Sequence, residues 1–303
     1  MGSGRCSLRR ADYERIQSQR YLTVASEPDT FGAAANTNDG CTIQIDDEND
    51  TMIHAKDGSE VLENLTAVNS PGTGIEHWGS SYFGPRYSTA EVSSGPQALM
   101  TQMSANETIL PHFHGVAQFQ IFPSGAGVMG KTEVRPLMLQ YKDHHSAYGP
   151  LVAGPHGLTF IALRNRIGDS APVYLSKPGY REKLKPSKRR NWISPHIPLS
   201  TRPIMQHRKE VSWEPVFDAQ KTIVDEMSAQ LLRLGAGMSA LGPDPRVGGG
   251  YYVFVANGTL QANSASLPAW SMVYVEPTEG AFEIKAGHTG LEALVMQFPK
   301  DDD

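Results

Sequence analysis

PHFHGVAQFQIFPSG, residues 111–125, is the segment from which the fold of this chain can be predicted. It carries two histidines, His112 and His114, followed by Gln118 and Gly125. Residues at i and i+2 of a strand point to the same face, so the two imidazoles are predicted to converge on one point. Imidazole is a ligand that suits iron, zinc, copper and nickel. The segment therefore predicts a strand that carries a metal site.

A second copy of this region lies further along the chain. At an offset of 133 residues, and without gaps, FQIFPSGAG at residues 119–127 falls on YVFVANGTL at residues 252–260, so that Gly125 falls on Gly258. The pattern Ala-Gly-x-x-Gly-Leu recurs at the same offset. These matches predict an internal duplication of a β domain of about 90 residues.

The composition agrees with an all-β fold. The 303 residues include 29 Gly and 21 Pro, and the apolar residues come in short runs separated by Gly, Pro, Asn and Ser. Such spacing is typical of sandwiches and barrels. The 27 basic and 32 acidic residues give a net charge of −5, which argues against a nucleic-acid partner.

Other features of the composition bear on the location of the protein. Two cysteines, Cys6 and Cys41, are too few for a disulfide framework. No apolar run approaches the roughly 18 residues that a membrane span needs, and the first residues lack the apolar core of a secretory signal. We therefore predict a cytoplasmic protein with no membrane partner.

The spacing H-x-H-x3-Q-x6-G resembles the first signature of the cupin superfamily, in which two His and a following Glu bind a metal inside a small jelly-roll barrel. The sequence departs from that signature twice, because Asn106 replaces the usual Gly and Gln118 replaces the usual Glu. Gln is a neutral oxygen donor, so it would bind a divalent ion more weakly than a carboxylate. The resemblance implies two tandem cupin barrels preceded by an N-terminal arm.

The predicted domains follow from the duplication and from the change in sequence texture. Residues 1–85 are predicted to form an arm with short strands, and residues 86–176 the first, metal-binding cupin domain. Residues 177–205 are basic and rich in Pro, which predicts a linker. Residues 206–303 are predicted to form the second cupin domain.

The resemblance also implies one more His ligand from a later strand pair. His145 is preferred over His144, and a site with neither of them stays open. Tyr141 and Tyr148 flank these histidines, and each is a candidate for proton transfer or substrate contact. Arg164 could reach an anionic substrate, although an Arg at a strand end is more often in solvent.

The second copy has lost every candidate ligand. The offset places Pro245, Val247 and Tyr251 where the first copy has its two His and its Gln. The second barrel is therefore predicted to be structural.

The resemblance implies a metal-dependent enzyme that acts on a small molecule. Fe(II) is favoured as the cofactor, with Zn, Mn or Ni as alternatives, and a non-haem dioxygenase is the first choice of function. The alternatives are a lyase or isomerase in which the metal acts as a Lewis acid, and a non-catalytic binding or storage protein. Sheet edges that pair between chains would make the protein a homodimer.

Overall fold

A computed structural model describes residues 43–44, 53–69, 76–86, 95–217, 225–262 and 265–300. None of the helices in these ranges is long and apolar enough to cross a membrane. Strands make up most of the described chain, which confirms the predicted all-β class. In chain order the elements are β1 (Ile43–Gln44), β2 (Ile53–Lys56), α1 (Gly58–Glu63), β3 (Thr66–Asn69), β4 (Glu76–Phe83), β5 (Gln97–Met103), β6 (Thr108–Ile109), β7 (His112–Phe113), β8 (Gln118–Met129), β9 (Thr132–Val134), β10 (Met138–Lys142), β11 (Leu151–Arg164), β12 (Val173–Tyr174), a 3-10 turn (Arg181–Lys183), β13 (Asn191–Ile193), α2 (Arg202–Gln206), β14 (Ser212–Pro215), β15 (Ser228–Leu234), β16 (Ser239–Leu241), a 3-10 turn (Pro245–Val247), β17 (Tyr251–Ala262), β18 (Ala265–Leu267), β19 (Met272–Val275) and β20 (Glu283–Gln297).

Two antiparallel sheets form the two barrels. The first sheet has the order β13-β10-β8-β11-β5-β4-β3, with β6 paired to β11 and β9 to β8. The second sheet has the order β1-β2-β19-β17-β20-β15-β14, with β16 paired to β20 and β18 to β17. The short strands β7 and β12 pair with each other. Strands β8, β10 and β11 of the first barrel correspond to β17, β19 and β20 of the second.

The register of the strand pairs repeats at the offset found in the sequence. Phe119 on β8 pairs with Tyr141 on β10. Tyr252 on β17 pairs with Tyr274 on β19, and each residue lies 133 positions after its counterpart. The predicted duplication is therefore confirmed at the level of individual residue pairs.

Glycines hold the equivalent bend in both barrels. Gly125 and Gly258 have positive φ angles of 74° and 79°, which disfavour any residue with a Cβ. A Cβ at either position would overlap the carbonyl oxygen of the facing strand, that of Gly157 or Gly290. The bend is thus fixed by close backbone contact as well as by backbone conformation.

The alternation of side chains divides each sheet into two faces. On β8, Gln118 and Gln120 face the interior of the first barrel, whereas Phe119 and Ile121 face the second barrel. Buried side chains from both barrels meet in one inter-barrel core. Its large members include Met100, Phe119, Tyr141, Phe217, Tyr252, Phe254, Tyr274 and Phe298.

The interior of the second barrel is an apolar core. It is filled by buried side chains of β15, β17, β19 and β20, including Leu232, Tyr251, Val253, Val273, Leu291 and Val295. That the second barrel is structural stays a prediction.

Segments outside the barrels also contribute to the sheets. Strand β2 of the predicted arm pairs with β19 in the second sheet, whereas β3 and β4 join the first sheet. Residues 177–205, which we predicted to be a linker, supply the edge strand β13 beside β10. Main-chain pairing therefore ties these segments to the barrels.

Candidate functional site

Two imidazoles face the interior of the first barrel. His112 lies on β7 and His114 follows it, and their ring centroids are 5.1 Å apart. The Nδ1 atom of His112 lies 2.7 Å from the carbonyl oxygen of Leu110, and that of His114 lies 2.6 Å from the carbonyl oxygen of Ser170. A carbonyl accepts only, so both Nδ1 atoms carry the proton. The lone pairs on the two Nε2 atoms are left for other partners.

Tyr148 meets the Nε2 atom of His112. Main-chain hydrogen bonds in both directions hold the two residues opposite each other. The Tyr148 hydroxyl lies 3.0 Å from His112 Nε2 and accepts a hydrogen bond of 2.9 Å from the side-chain amide of Gln118. The hydroxyl therefore donates to His112 while it accepts from Gln118.

Arg164, at the end of β11, meets the other acceptors. Its Nη2 atom donates to Gln118 Oε1 at 2.7 Å and lies 3.3 Å from His114 Nε2. Its Nη1 atom donates to the side-chain oxygen of Gln97 on β5. The side chain is 5% exposed, and within the described ranges it forms no ion pair with a carboxylate. Its Nε atom has no hydrogen-bond partner there.

Burial and positive charge keep the histidines neutral. Burial lowers the pKa of His112 to about 4, and the charges of Arg164 and Lys142 act in the same direction. Burial, with the charge of Arg164, holds the pKa of His114 well below its usual value. Burial raises the pKa of Tyr148 to about 12, so its hydroxyl keeps its proton at neutral pH.

The basic groups of the site are themselves poorly solvated. Burial lowers the pKa of Arg164 to about 10, which leaves the guanidinium charged at neutral pH. Burial likewise lowers the pKa of Lys142 to about 8. The Lys142 ammonium lies 5.1 Å from the centre of the Tyr148 ring. Among the described residues, Arg86 and Arg164 line the cavity of the first barrel and no Asp or Glu does, so its wall carries a net positive charge.

His112, His114, Gln118, Tyr148 and Arg164 line a cavity of about 90 Å³ inside the first barrel. Its wall includes no Asp or Glu among the described residues. Leu99, Ile109 and Phe160 supply apolar wall opposite the polar groups. The cavity has the size and charge for one small anionic group.

A larger cleft of about 620 Å³ adjoins this cavity. Tyr148 and Gly149 line both spaces, and Trp192 and Phe217 give the cleft an aromatic wall. Tyr148 therefore stands between the small cavity and a cleft that has room for the rest of a ligand.

Solved structures resemble this arrangement of two barrels. A "putative dioxygenase" from Nostoc punctiforme aligns with a TM-score of 0.54 at 11% identity, over 84% of this chain and 85% of that one. Salicylate 1,2-dioxygenase from Pseudoaminobacter salicylatoxidans, solved as adducts with gentisate, aligns with a TM-score of 0.51 at 14% identity, over 82% of this chain and 81% of that one. The chain has the two-barrel cupin fold. No protein-family model and no curated protein sequence matches it.

The cupin fold does not bring His145 to the other predicted ligands. The Nδ1 atom of His145 lies 2.8 Å from that of His144, and its ring packs 5.9 Å from that of Phe113. Neither His145 nor His144 lines the cavity. The reason is local, because His145 has a φ of 52° in the turn after β10. Tyr148, three residues later, is the group that reaches the site.

Tyr141 also lies away from the site. It shares a face of β10 with Leu139, so it points into the inter-barrel core. There its hydroxyl donates to Asp143 at 2.9 Å, and the Arg190 guanidinium lies over its ring. Of the two tyrosines predicted as catalytic, only Tyr148 contacts the histidines.

Sequence reasoning underrated Arg164 and missed Gln97. We expected Arg164 to be in solvent, but it is buried at the centre of the network. The alternation of side chains along β11 could have predicted this position, because Phe160, Ala162 and Arg164 all face the interior of the barrel. Gln97 pairs with Arg164 across β5 and β11, and nothing in its own sequence context marks it.

The side chains around the cavity fit only part of what the metal implied by the cupin resemblance requires. The tautomers of His112 and His114 are those that a metal ligand needs. Against this, Arg164 donates to Gln118 and lies against His114, so a cation already faces two of the predicted ligands. Across the described ranges, no group of three or more His, Cys, Asp or Glu is placed to hold a metal ion. In this conformation the residues do not fit a resident divalent metal.

Proposed function

We propose that the first barrel is an enzyme site that binds a small carboxylate on Arg164 and moves protons through Tyr148 and His112. The observation that carries this proposal is the buried Arg164 guanidinium, which has no acidic partner among the described residues. A buried charge without a partner is costly, and an arriving carboxylate would remove that cost. Arg binds carboxylates with two parallel hydrogen bonds, and the buried Nε atom of Arg164 has no hydrogen-bond partner among the described residues.

The chemistry that suits these groups is elimination from a 3-hydroxycarboxylate. The Tyr148 hydroxyl turns its hydrogen from His112 Nε2 toward the β-oxygen of the substrate, which frees the Nε2 lone pair. His112 Nε2 then takes the proton from the carbon next to the carboxylate, and the C–H electron pair forms the new C=C bond. The β-oxygen leaves with the electron pair of its C–O bond and takes the Tyr148 proton to form water. Transfer of the first proton from His112 to Tyr148, along their 3.0 Å hydrogen bond, restores both groups.

The charge of the site favours this step. Negative charge develops on the substrate carboxylate and on Tyr148 as the protons move. Arg164 and the Gln118 amide face that charge in a site of low solvent exposure, where such groups are most effective. The charge of Arg164 and the hydrogen bond from Gln118 both act to lower the pKa of Tyr148, against the larger effect of burial.

Proton exchange tests the reaction with a simple 3-hydroxycarboxylate in place of the natural substrate. We expect the protein in D2O to exchange the protons next to the carboxylate of 3-hydroxypropionate, as followed by proton NMR. Tyr148→Phe removes a general acid, which typically contributes 10²- to 10⁴-fold, so we expect the rate of acrylate formation to fall by about 100-fold or more. Tyr141→Phe is the matched control, since it removes a buried hydroxyl outside the site. Binding of 3-hydroxypropionate with no exchange would instead indicate a binding protein.

A second candidate is the metal-dependent enzyme that the histidine spacing predicts, a dioxygenase that uses Fe(II) or a Lewis-acid enzyme. The observation that favours it is the orientation of both Nε2 lone pairs toward the barrel interior. Such an enzyme needs the Arg164 guanidinium to withdraw from Gln118 and His114. Elemental analysis of the purified protein distinguishes the candidates, because the second requires close to one equivalent of metal in the first barrel.

A further inference from the structure

We infer that the Arg164 guanidinium takes the place of the metal ion in the first barrel, so that this cupin centre is built around a fixed organic cation. The inference concerns the same site as the proposed function but does not depend on the reaction. It rests on the hydrogen bonds that link His112, Tyr148, Gln118, Arg164 and His114 in one chain.

Two of the predicted ligands are occupied by the guanidinium. Arg164 Nη2 lies 2.7 Å from Gln118 Oε1 and 3.3 Å from His114 Nε2. Because Nδ1 of His114 carries the proton, its Nε2 atom can only accept. Both atoms that would face a metal thus face a donor of positive charge.

Tyr148 occupies the third predicted ligand, His112. Its hydroxyl donates to His112 Nε2, and the other end of the Gln118 amide donates to the hydroxyl oxygen. Each of the three predicted ligand atoms, His112 Nε2, His114 Nε2 and Gln118 Oε1, therefore already faces a hydrogen-bond donor. A metal bound to these atoms would have to break at least three of these hydrogen bonds.

The surroundings offer a metal no compensation. The cavity wall includes no carboxylate among the described residues, and the His, Gln and Tyr side chains that could bind a metal are neutral. A divalent ion beside Arg164 would be repelled in a poorly solvated site, where charges are weakly screened. The neutral Gln118 in place of a carboxylate agrees with a centre that already contains its cation.

The guanidinium is also held from behind. Gln97 accepts from Nη1, and the Tyr252 hydroxyl donates to the main-chain oxygen of Arg164 at 2.8 Å and lies 3.2 Å from that of Gln97. These contacts come from β5 and from the second barrel. Neutral groups that hydrogen-bond to Arg164 therefore fix its position, and no acidic side chain among the described residues pairs with it.

Removal of the guanidinium tests the inference through metal binding rather than turnover. Chelator-treated wild type and Arg164→Leu are titrated with Ni(II) by calorimetry, with His112→Ala/His114→Ala as the control for nickel bound elsewhere. We expect wild type to match this control and Arg164→Leu to gain at least tenfold in affinity. Adding His114→Ala to Arg164→Leu should abolish the gain.

Gln118→Glu sharpens the test. In the presence of Arg164 the new carboxylate should pair with the guanidinium, so we expect no gain in nickel affinity. In the Arg164→Leu background the same change should raise the affinity further. If Arg164→Leu does not give a cooperative thermal transition, Arg164→Gln is used in its place.

Two results would overturn the inference. One is close to one equivalent of metal in purified wild type that is lost in His112→Ala/His114→Ala. The other is an unchanged nickel affinity in both folded Arg164 variants. Neither result depends on proton exchange, so failure of this inference and failure of the proposed reaction are read from different experiments.

Discussion

The hydroxyl of Tyr252, in the second barrel, donates a hydrogen bond of 2.8 Å to the main-chain oxygen of Arg164 in the first. The same hydroxyl lies 3.2 Å from the main-chain oxygen of Gln97, whose side chain accepts from Arg164. Tyr252 occupies the position equivalent to Phe119 of the first barrel. The second barrel therefore contributes to the site by positioning Arg164 rather than by supplying ligands.

Tyr252→Phe should weaken anion binding. Loss of the hydroxyl leaves two buried carbonyl oxygens without this donor, which costs about 1–3 kcal/mol. We expect part of that cost to appear as a five- to tenfold weaker affinity for 3-hydroxypropionate in calorimetry. Tyr251→Phe is the control, because its hydroxyl contacts the main-chain N–H of Phe282 inside the second barrel. An equal loss of affinity in both variants would mean that the effect is general destabilisation.

The pH dependence of stability should report the buried histidines. Burial lowers the pKa of His112 from 6.5 in the unfolded chain to about 4 in the folded one, so the unfolded state takes up its proton first as pH falls. Stability from this source is complete above pH 6.5 and is lost progressively toward pH 4. Protonation of His112 in the unfolded chain should by itself make the free energy of unfolding at pH 5 about 2 kcal/mol lower than at pH 7.

Urea denaturation between pH 7 and pH 4.5 measures this effect. We expect His112→Asn/His114→Asn to show a flatter dependence on pH than wild type. His196→Asn serves as the control, since His196 is exposed. If the double variant and wild type lose stability in parallel, the two imidazoles are not neutral in the folded protein.

The alternation of the strands explains which parts of the fold could be predicted. The offset of 133 residues and the short apolar runs were enough to predict two barrels. The reason is that strand alternation and register determine which positions in the sequence are apolar. The same parity rule places Tyr141 on the face opposite Lys142, away from the histidines. Applied to β10, it would have excluded Tyr141 from the site.

The rest of the site depends on contacts that the sequence does not record. Gln97 reaches Arg164 across two strands separated by more than sixty residues, and Tyr252 reaches it from the other barrel. His145 was preferred as a ligand on the basis of the family pattern, but the turn after β10 directs Tyr148 inward instead. These outcomes depend on loop conformation and on barrel packing.

Gly258→Ala should destabilise the second barrel more than Gly237→Ala does. Both glycines have positive φ, of 79° and 70°, so each substitution incurs a backbone cost of about 1–2 kcal/mol. At Gly258 the added Cβ also overlaps the carbonyl oxygen of Gly290, whereas at Gly237 it meets open space. We expect urea midpoints to show a loss of about 3 kcal/mol or more for Gly258→Ala. Equal losses would show that the close approach of the strands relaxes without cost.

The most direct test of the central claim, that Arg164 binds a carboxylate without a metal, is calorimetric titration of chelator-treated protein with 3-hydroxypropionate. The predicted result is one site per chain in wild type and at least a tenfold weaker affinity in Arg164→Gln. Gln140→Ala is the matched control, because Gln140 is a buried glutamine of the same barrel that lies outside the cavity wall. No binding in the chelated protein, with binding restored by Fe(II) or Ni(II), would contradict the claim.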